Sequence, residues 1–244
     1  MSRPRRLFAE PLPPGGGALS LPGESLEHVH VLRLTVGTEV TLFDGRGGEA
    51  DARITRVSRA AVDVLAEPRV TLPPRAARLT LVVGLPKAGK LELIVKMATE
   101  LGVHAIRVAT TERAVPKGES LKLERLRRVA REASAQSGQP YVPTLEAPRS
   151  LAEHIAAAPA AACKLAFWEE AREELTAATS GIDSGCEVWA VVGPEGGLSA
   201  AEASLLAAGG FSLVGLGPHI LRVETACVVV SALLLERMAA LGGS

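Results

Sequence analysis

The chain reads as an α/β protein: a small β-rich domain followed by a larger domain built on a mostly parallel sheet. Three observations predict this. Residues 7–70 break into short β-rich runs separated by turn residues. From residue 78 onward, apolar runs of strand length alternate with segments whose apolar residues recur at helical spacing. Between them, Thr71-Leu72-Pro73-Pro74-Arg75 has the composition of a linker. The expected domains are therefore residues 1–72 and 73–244. At 244 residues, 47% hydrophobic and 22% charged, the chain can bury a sizeable core in one large or two modest domains.

In the first domain, Val40–Phe43 and Ala50–Val57 flank Asp44-Gly45-Arg46-Gly47-Gly48. An Asp-Gly turn between β-rich runs is a hairpin signal, because glycine takes the positive φ that a tight reversal needs. Ala61–Ala66 adds a further run, and the expected form is a small β-barrel. In the second domain, Arg78–Leu85 is a strand with Leu79, Leu81 and Val83 on one face. Lys90–Gly102 is helical: Leu91, Ile94, Val95 and Ala98 share a face, and Gly102 is a stop. Ile106–Ala109 is a strand. Glu124–Gln136 is a helix with Leu126, Val129, Ala130 and Ala133 inward and Arg125, Arg127, Arg128 and Arg131 on the other face. Leu165–Trp168, Val188–Val192 and Ser212–Leu216 are further strands, and Thr225–Leu241 is a long apolar helix for a core or an interface.

The formal net charge of zero hides an uneven distribution. Residues 104–150 carry nine basic and five acidic side chains, while residues 151–244 carry four and eleven. Of the 27 basic residues, 21 are arginine, which binds phosphate in a bidentate way and stacks on bases. Charge alone permits an RNA partner and equally permits a plain solvated surface. No apolar run reaches the length needed to span a bilayer. Met1–Arg6 is basic without a following apolar stretch, so no signal peptide and no membrane are expected. Cys163, Cys186 and Cys227 are widely spaced, suit a reducing cytoplasm and read as small core residues.

Several chemistries are set aside. Gly84-Leu85-Pro86-Lys87-Ala88-Gly89-Lys90-Leu91 nearly matches a phosphate-binding loop, but Leu91 lacks the hydroxyl that would ligate magnesium. No strand ends in a matching metal-binding aspartate. Lys87 and Lys90 are instead expected to touch RNA phosphate from a loop, or simply to be solvated. No Gly-x-Gly-x-x-Gly follows a strand, and no Gly-x-Ser-x-Gly supplies a nucleophile. His28 and His30 would share a face on a strand, yet no third ligand accompanies them and no metal is expected.

The most informative stretch runs from Val188 through Gly193-Pro194-Glu195-Gly196-Gly197 into Ser199-Ala200-Ala201-Glu202. An apolar strand enters a glycine-rich turn, and a capping box starts a helix. Glycines let a ligand approach the backbone, and the free N–H groups of a first helical turn point at it. A second loop, Leu216-Gly217-Pro218-His219-Ile220-Leu221-Arg222-Val223-Glu224-Thr225-Ala226, follows another short strand.

With both loops in place the chain resembles the ribosomal RNA uridine N3-methyltransferase family of the SPOUT superfamily, which modifies small-subunit (16S) rRNA. The resemblance covers nearly the whole length. It includes His30-Val-Leu-Arg33 with Phe43-Asp-Gly45, Lys90 to Val103, Glu112-Arg113-Ala-Val115, Arg127 to Ser137 and the two loops, which are its most specific parts. Two positions depart from the pattern: His219 stands where arginine is usual, and Gly138 where a basic residue commonly follows Gln136-Ser137.

The resemblance implies a PUA-like barrel that helps hold RNA, then a SPOUT α/β domain with a trefoil knot. It implies S-adenosylmethionine bound by Gly193, Pro194, Glu195, Gly196, Gly197, Leu216, Gly217, Ile220, Leu221, Thr225 and Ala226. It implies a homodimer acting on 16S rRNA or the small ribosomal subunit. Arg33, Lys87, Lys90, Arg113, Arg127, Arg128, Arg131 and His219 are the expected RNA contacts. For the chemistry, Glu195 or Glu224 is expected to take the N3 proton and Arg222 to stabilise charge on a uracil oxygen. The plainer reading makes Glu195 a turn residue, Arg222 and Glu224 an ion pair, and Thr225 a helix cap. The competing functions are a non-catalytic RNA-binding assembly factor on this scaffold, and a SPOUT enzyme acting on another RNA.

Overall fold

A computed structural model describes residues 5–73, 78–87, 89–114, 122–180, 182 and 185–242. They cluster into two units, one of Met1–Pro74 with Arg128–Val142, the other of Arg75–Arg127 with Pro143–Ser244.

The first unit contains β1 (Arg6–Phe8), β2 (Gly17–Pro22), α1 (Glu24–Val31), β3 (Glu39–Phe43), β4 (Gly48–Val57), β5 (Ala61–Ala66) and β6 (Val70–Thr71). They form one sheet in the order β1-β3-β4-β5-β2, with β6 pairing β4. Only β1–β3 is parallel. The expected hairpin is β3–β4, with Thr41 opposite Asp51. Its turn is held by Asp44, whose Oδ1 accepts the N–H groups of Arg46 at 2.7 Å and Gly48 at 2.9 Å. Leu7, Leu42, Ile54, Val62 and Val64 fill the core, and α1 packs on β1, β2 and β5.

That helix corrects the strand reading of residues 28–30. On a helix, His28 and His30 point to nearly opposite sides, so they share no face. His28 is half-buried and its pKa is lowered by burial, against the pull of Glu132. The helix ends on Arg33, whose φ of 52° is the left-handed value usual for glycine. Arg33 N–H reaches His30 O and Leu34 N–H reaches Val29 O, closing the helix end.

The second unit begins with β7 (Arg78–Gly84), α2 (Lys90–Leu101) and β8 (Ala105–Thr110). Next come α3 (Leu123–Ser137), β9 (Thr144–Leu145), β10 (Arg149–Ser150), α4 (Leu151–Ala157), β11 (Cys163–Phe167), β12 (Glu173–Glu174) and α5 (Leu175–Ala178). The chain ends with β13 (Glu187–Val192), α6 (Ala200–Ala208), β14 (Ser212–Gly215) and α7 (Val223–Gly242). From Arg128 onward α3 belongs to the first unit.

The second sheet runs β10-β8-β7-β13-β11-β14-β12, with β9 also on β8, and every pairing is parallel. A parallel sheet is covered on both faces, which is why β7 and β13 read as continuous apolar runs. Val82, Ala166, Trp189 and Val191 pack with Leu151 of α4 and Leu206 of α6. Alternate residues of β7 and β13 point the other way, and α7 packs on these strands and on α2. Leu91, Ile94, Val95 and Ala98 are buried, as their spacing predicts. The expected capping box starts α6: Ser199 Oγ accepts Glu202 N–H at 3.2 Å, and Glu202 Oε2 accepts Ser199 N–H at 2.9 Å.

Candidate active site

In open α/β sheets, ligands bind in the crevice beyond the carboxyl ends of the strands. Here β11, β13 and β14 end near one another, at Phe167, Val192 and Gly215. The chain leaving each strand lines one cavity of about 520 Å³. Trp168 and Glu169 come from β11, Gly193–Gly197 from β13 and Leu216–Arg222 from β14, with Lys90, Val223 and Ala226 completing the lining. The backbone of Gly197 favours glycine, with φ +70°, and a Cβ there would displace the Glu169 carboxylate, whose Oε1 it would meet at 2.3 Å.

The carboxylates around this cavity differ. Both oxygens of Glu195 accept the backbone N–H of Lys87, at 3.0 and 3.2 Å. Lys90 Nζ lies 3.4 Å from Glu195 Oε1 and 3.0 Å from Glu224 Oε2, so one ammonium bridges the two. Burial pushes the Glu195 carboxyl up, but its own N–H, that of Lys87 and the Lys90 charge outweigh this and leave it below the usual range. Glu224 is also lowered, by its own backbone N–H and then by Lys90. Lys90 is raised, chiefly by Glu224. Glu169, in contrast, is exposed and ion-paired to no described residue, with its carboxylate against the Gly197 backbone. Nothing in the sequence marks Glu169, because it sits in the acidic run Glu169, Glu170, Glu173, Glu174 that reads as a solvated face.

The cations differ too. Arg222 is exposed on the cavity rim and acts on Glu224 only at a distance, so the expected Arg222–Glu224 ion pair is replaced by Lys90–Glu224. Arg113 Nη1 donates to the carbonyls of Gly196 at 2.9 Å and Leu198 at 3.4 Å, fixing the first loop. His219 lines the cavity and is exposed. Ile220, also lining it, is 91% exposed, the highest value among the large apolar side chains of the described residues. Thr225 is exposed, lies outside the lining and falls inside the first turn of α7, because that helix starts at Val223; it is not the cap.

Of the other expected contacts, Lys87 and Arg33 are exposed. The α3 arginines have acidic partners: Arg125 pairs with Glu92, Arg127 with Glu124, Arg128 with Glu27 and Glu132, and Arg131 with Glu24. Gly138 takes φ +79° just past the end of α3, with open space where a side chain would go. Ala88 and Val115 lie outside the described residues. Among the described residues, no helix is long and apolar enough to cross a membrane, and no cluster of three or more His, Cys, Asp or Glu offers a metal site.

Residues 73–235 match the family model of an RNA methyltransferase domain, and residues 21–67 match that of an RNA methyltransferase PUA domain. The ribosomal RNA small subunit methyltransferase E of Bacillus subtilis is 32% identical over 221 residues, spanning 85% of each chain. The chain belongs to this methyltransferase family. The Mycobacterium tuberculosis member is 31% identical over 237 residues, covering 91% of this chain and 87% of that one. Among solved structures, the Neisseria gonorrhoeae member bound to S-adenosylmethionine matches with a TM-score of 0.86 at 26% identity, covering 96% of this chain and 97% of that one. A Legionella pneumophila structure with the same cofactor matches at 0.88 and 27% identity, covering 96% and 98%. The family fold thus joins a PUA domain to an α/β RNA methyltransferase domain.

Proposed function

We propose that this protein transfers a methyl group from S-adenosylmethionine to N3 of a uridine in the small-subunit (16S) ribosomal RNA. The observation that carries this reading is the cavity between the Gly193–Gly197 and Leu216–Arg222 loops, formed by the segments that carry the family resemblance. Its lining offers an apolar ring the surface of Ile220 and Leu221, while Glu169 and Arg222, neither ion-paired among the described residues, remain for the reacting base. Gly193, Pro194, Gly196, Gly197, Leu216, Gly217 and Ala226 would hold the cofactor from the remaining wall. When bound there, S-adenosylmethionine supplies an already activated methyl on a cationic sulfur, so no metal is required.

The residues then have three tasks. The first is alignment, which supplies much of the acceleration in such a transfer; the loops and Arg113 set it. The second is the uridine N3 proton. Glu195 and Glu224 are poor acceptors, since both are neutralised by Lys90 and held below the usual carboxylate range. We assign acceptance to Glu169, the cavity carboxylate without a cation partner among the described residues. The third is the negative charge that develops on the uracil oxygens, which Arg222 is placed to stabilise. Arg33, Lys87 and His219, all exposed, are the proposed RNA contacts, and the base must leave its helix to present N3.

In this reading residues 1–72 hold RNA and residues 73–244 carry catalysis, with the SPOUT trefoil knot around the cavity loops. The protein works as a homodimer in the cytoplasm. Calorimetric titration tests the core of the proposal. S-adenosylmethionine should bind saturably and Mg-ATP should give no heat, because the N–H of Lys87 that a phosphate would need is already held by Glu195. Binding of ATP without S-adenosylmethionine would overturn it.

A further inference from the structure

Lys90 is the first residue of α2. A cation is poorly placed at the positive end of a helix, so its position calls for a reason. Its ammonium reaches Glu195 in the first cavity loop and Glu224 in the turn that follows the second. Glu224 Oε2 is shut off from water, with Lys90 as its close cationic partner. The two loops leave different strands, β13 and β14, which are not neighbours in the sheet. No hydrogen-bonded strand pair therefore sets their spacing directly.

We propose that Lys90 is a positioning residue that fastens the two loops to each other through a shared ion triad, Glu195–Lys90–Glu224, and thereby sets the cavity for its ligand. This deepens the proposed function and rests on it for the identity of that ligand. The other groups facing the triad are the Lys87 N–H on Glu195, Arg222 at a distance from Glu224, and the buried Cys227 thiol of α7, raised by burial and by Glu224. None of them replaces the ammonium: one is a neutral donor, one is remote and one stays protonated.

Removing the ammonium leaves two carboxylates with no cation between them. Like charges held close raise the pKa of one of the pair. In Lys90→Met the folded state therefore holds a proton more tightly than the unfolded state does. Stability and a closed cavity survive at low pH and are lost as pH rises through that raised value. The wild type, with both carboxylates held low, has no such dependence from these groups above the acid range.

The test compares wild type, Lys90→Met, Lys90→Arg and Lys90→Met/Glu224→Gln by titration with S-adenosylhomocysteine. Lys90→Met should bind about tenfold or more weakly near pH 8 and recover much of the difference near pH 6. Lys90→Arg and the double variant should bind close to wild type at both. Thermal unfolding of the ligand-free proteins reads the same triad independently: the melting-temperature deficit of Lys90→Met should grow from about pH 6 to about pH 8. A Lys90→Met deficit that is absent, or equal at both pH values in both measurements, overturns the inference. If the wild type binds no ligand while the thermal pattern holds, the methyltransferase reading fails and the triad stands.

Discussion

Helix α3 and the rim of the cavity both carry arginine, but the two regions neutralise it differently. On α3, the guanidinium groups of Arg125, Arg127, Arg128 and Arg131 all meet carboxylates, and Arg131 also lies 5.2 Å from the centre of the Phe8 ring. On the rim, Arg222 meets no carboxylate at ion-pair distance among the described residues and is exposed beside the cavity. A dense run of cations in a sequence therefore says little about which are available to a ligand. Partnered arginines shape the fold, whereas Arg222, with no such partner among the described residues, is available to a ligand.

Breaking the unpartnered side should have the largest effect. Arg222→Ala should slow single-turnover methylation by about a hundredfold while changing the S-adenosylmethionine dissociation constant little, as expected for a group that acts on developing charge. Glu169→Gln should also slow the chemical step. Equal losses in cofactor binding would instead place either residue in ground-state recognition.

Breaking the partnered side should have a smaller effect of another kind. Arg131→Ala loses a partly buried pair with Glu24 and a ring contact, for about 1 kcal/mol of stability in denaturant titration. Its affinity for small-subunit RNA, measured well below its melting temperature, should stay within about twofold of wild type. A large drop in RNA affinity at unchanged stability would show that the α3 pairs open to RNA and would erase the contrast.

Much of the second unit is legible in the sequence. The buried spacing of α2, the apolar run of β13 and the capping box of α6 are local signals, and local physics decides them. The two-residue strands β9, β10 and β12 carry no such signal, because pairing with β8 or β14 makes them strands. Helix α1 was hidden because its short, mixed sequence has only weak periodicity, so His28 and His30 read equally well as strand residues. The two cavity loops stand out through their glycines. Their fastening does not, since Lys90 lies far from Glu195 and Glu224 in sequence and only the fold brings the three together. Glu169 is invisible for the opposite reason: it resembles its acidic neighbours, and only its place over Gly197 sets it apart.

The most direct test is to identify the product. Small ribosomal subunits free of the modification, incubated with the protein and methyl-labelled S-adenosylmethionine, would be digested to nucleosides and resolved by mass spectrometry, with reverse transcription to locate the site. A methyl on N3 blocks the pairing edge of the base, so N3-methyluridine should appear together with a strong stop at one 16S position. Label on a ring carbon or a ribose oxygen, or none in the rRNA, would contradict it.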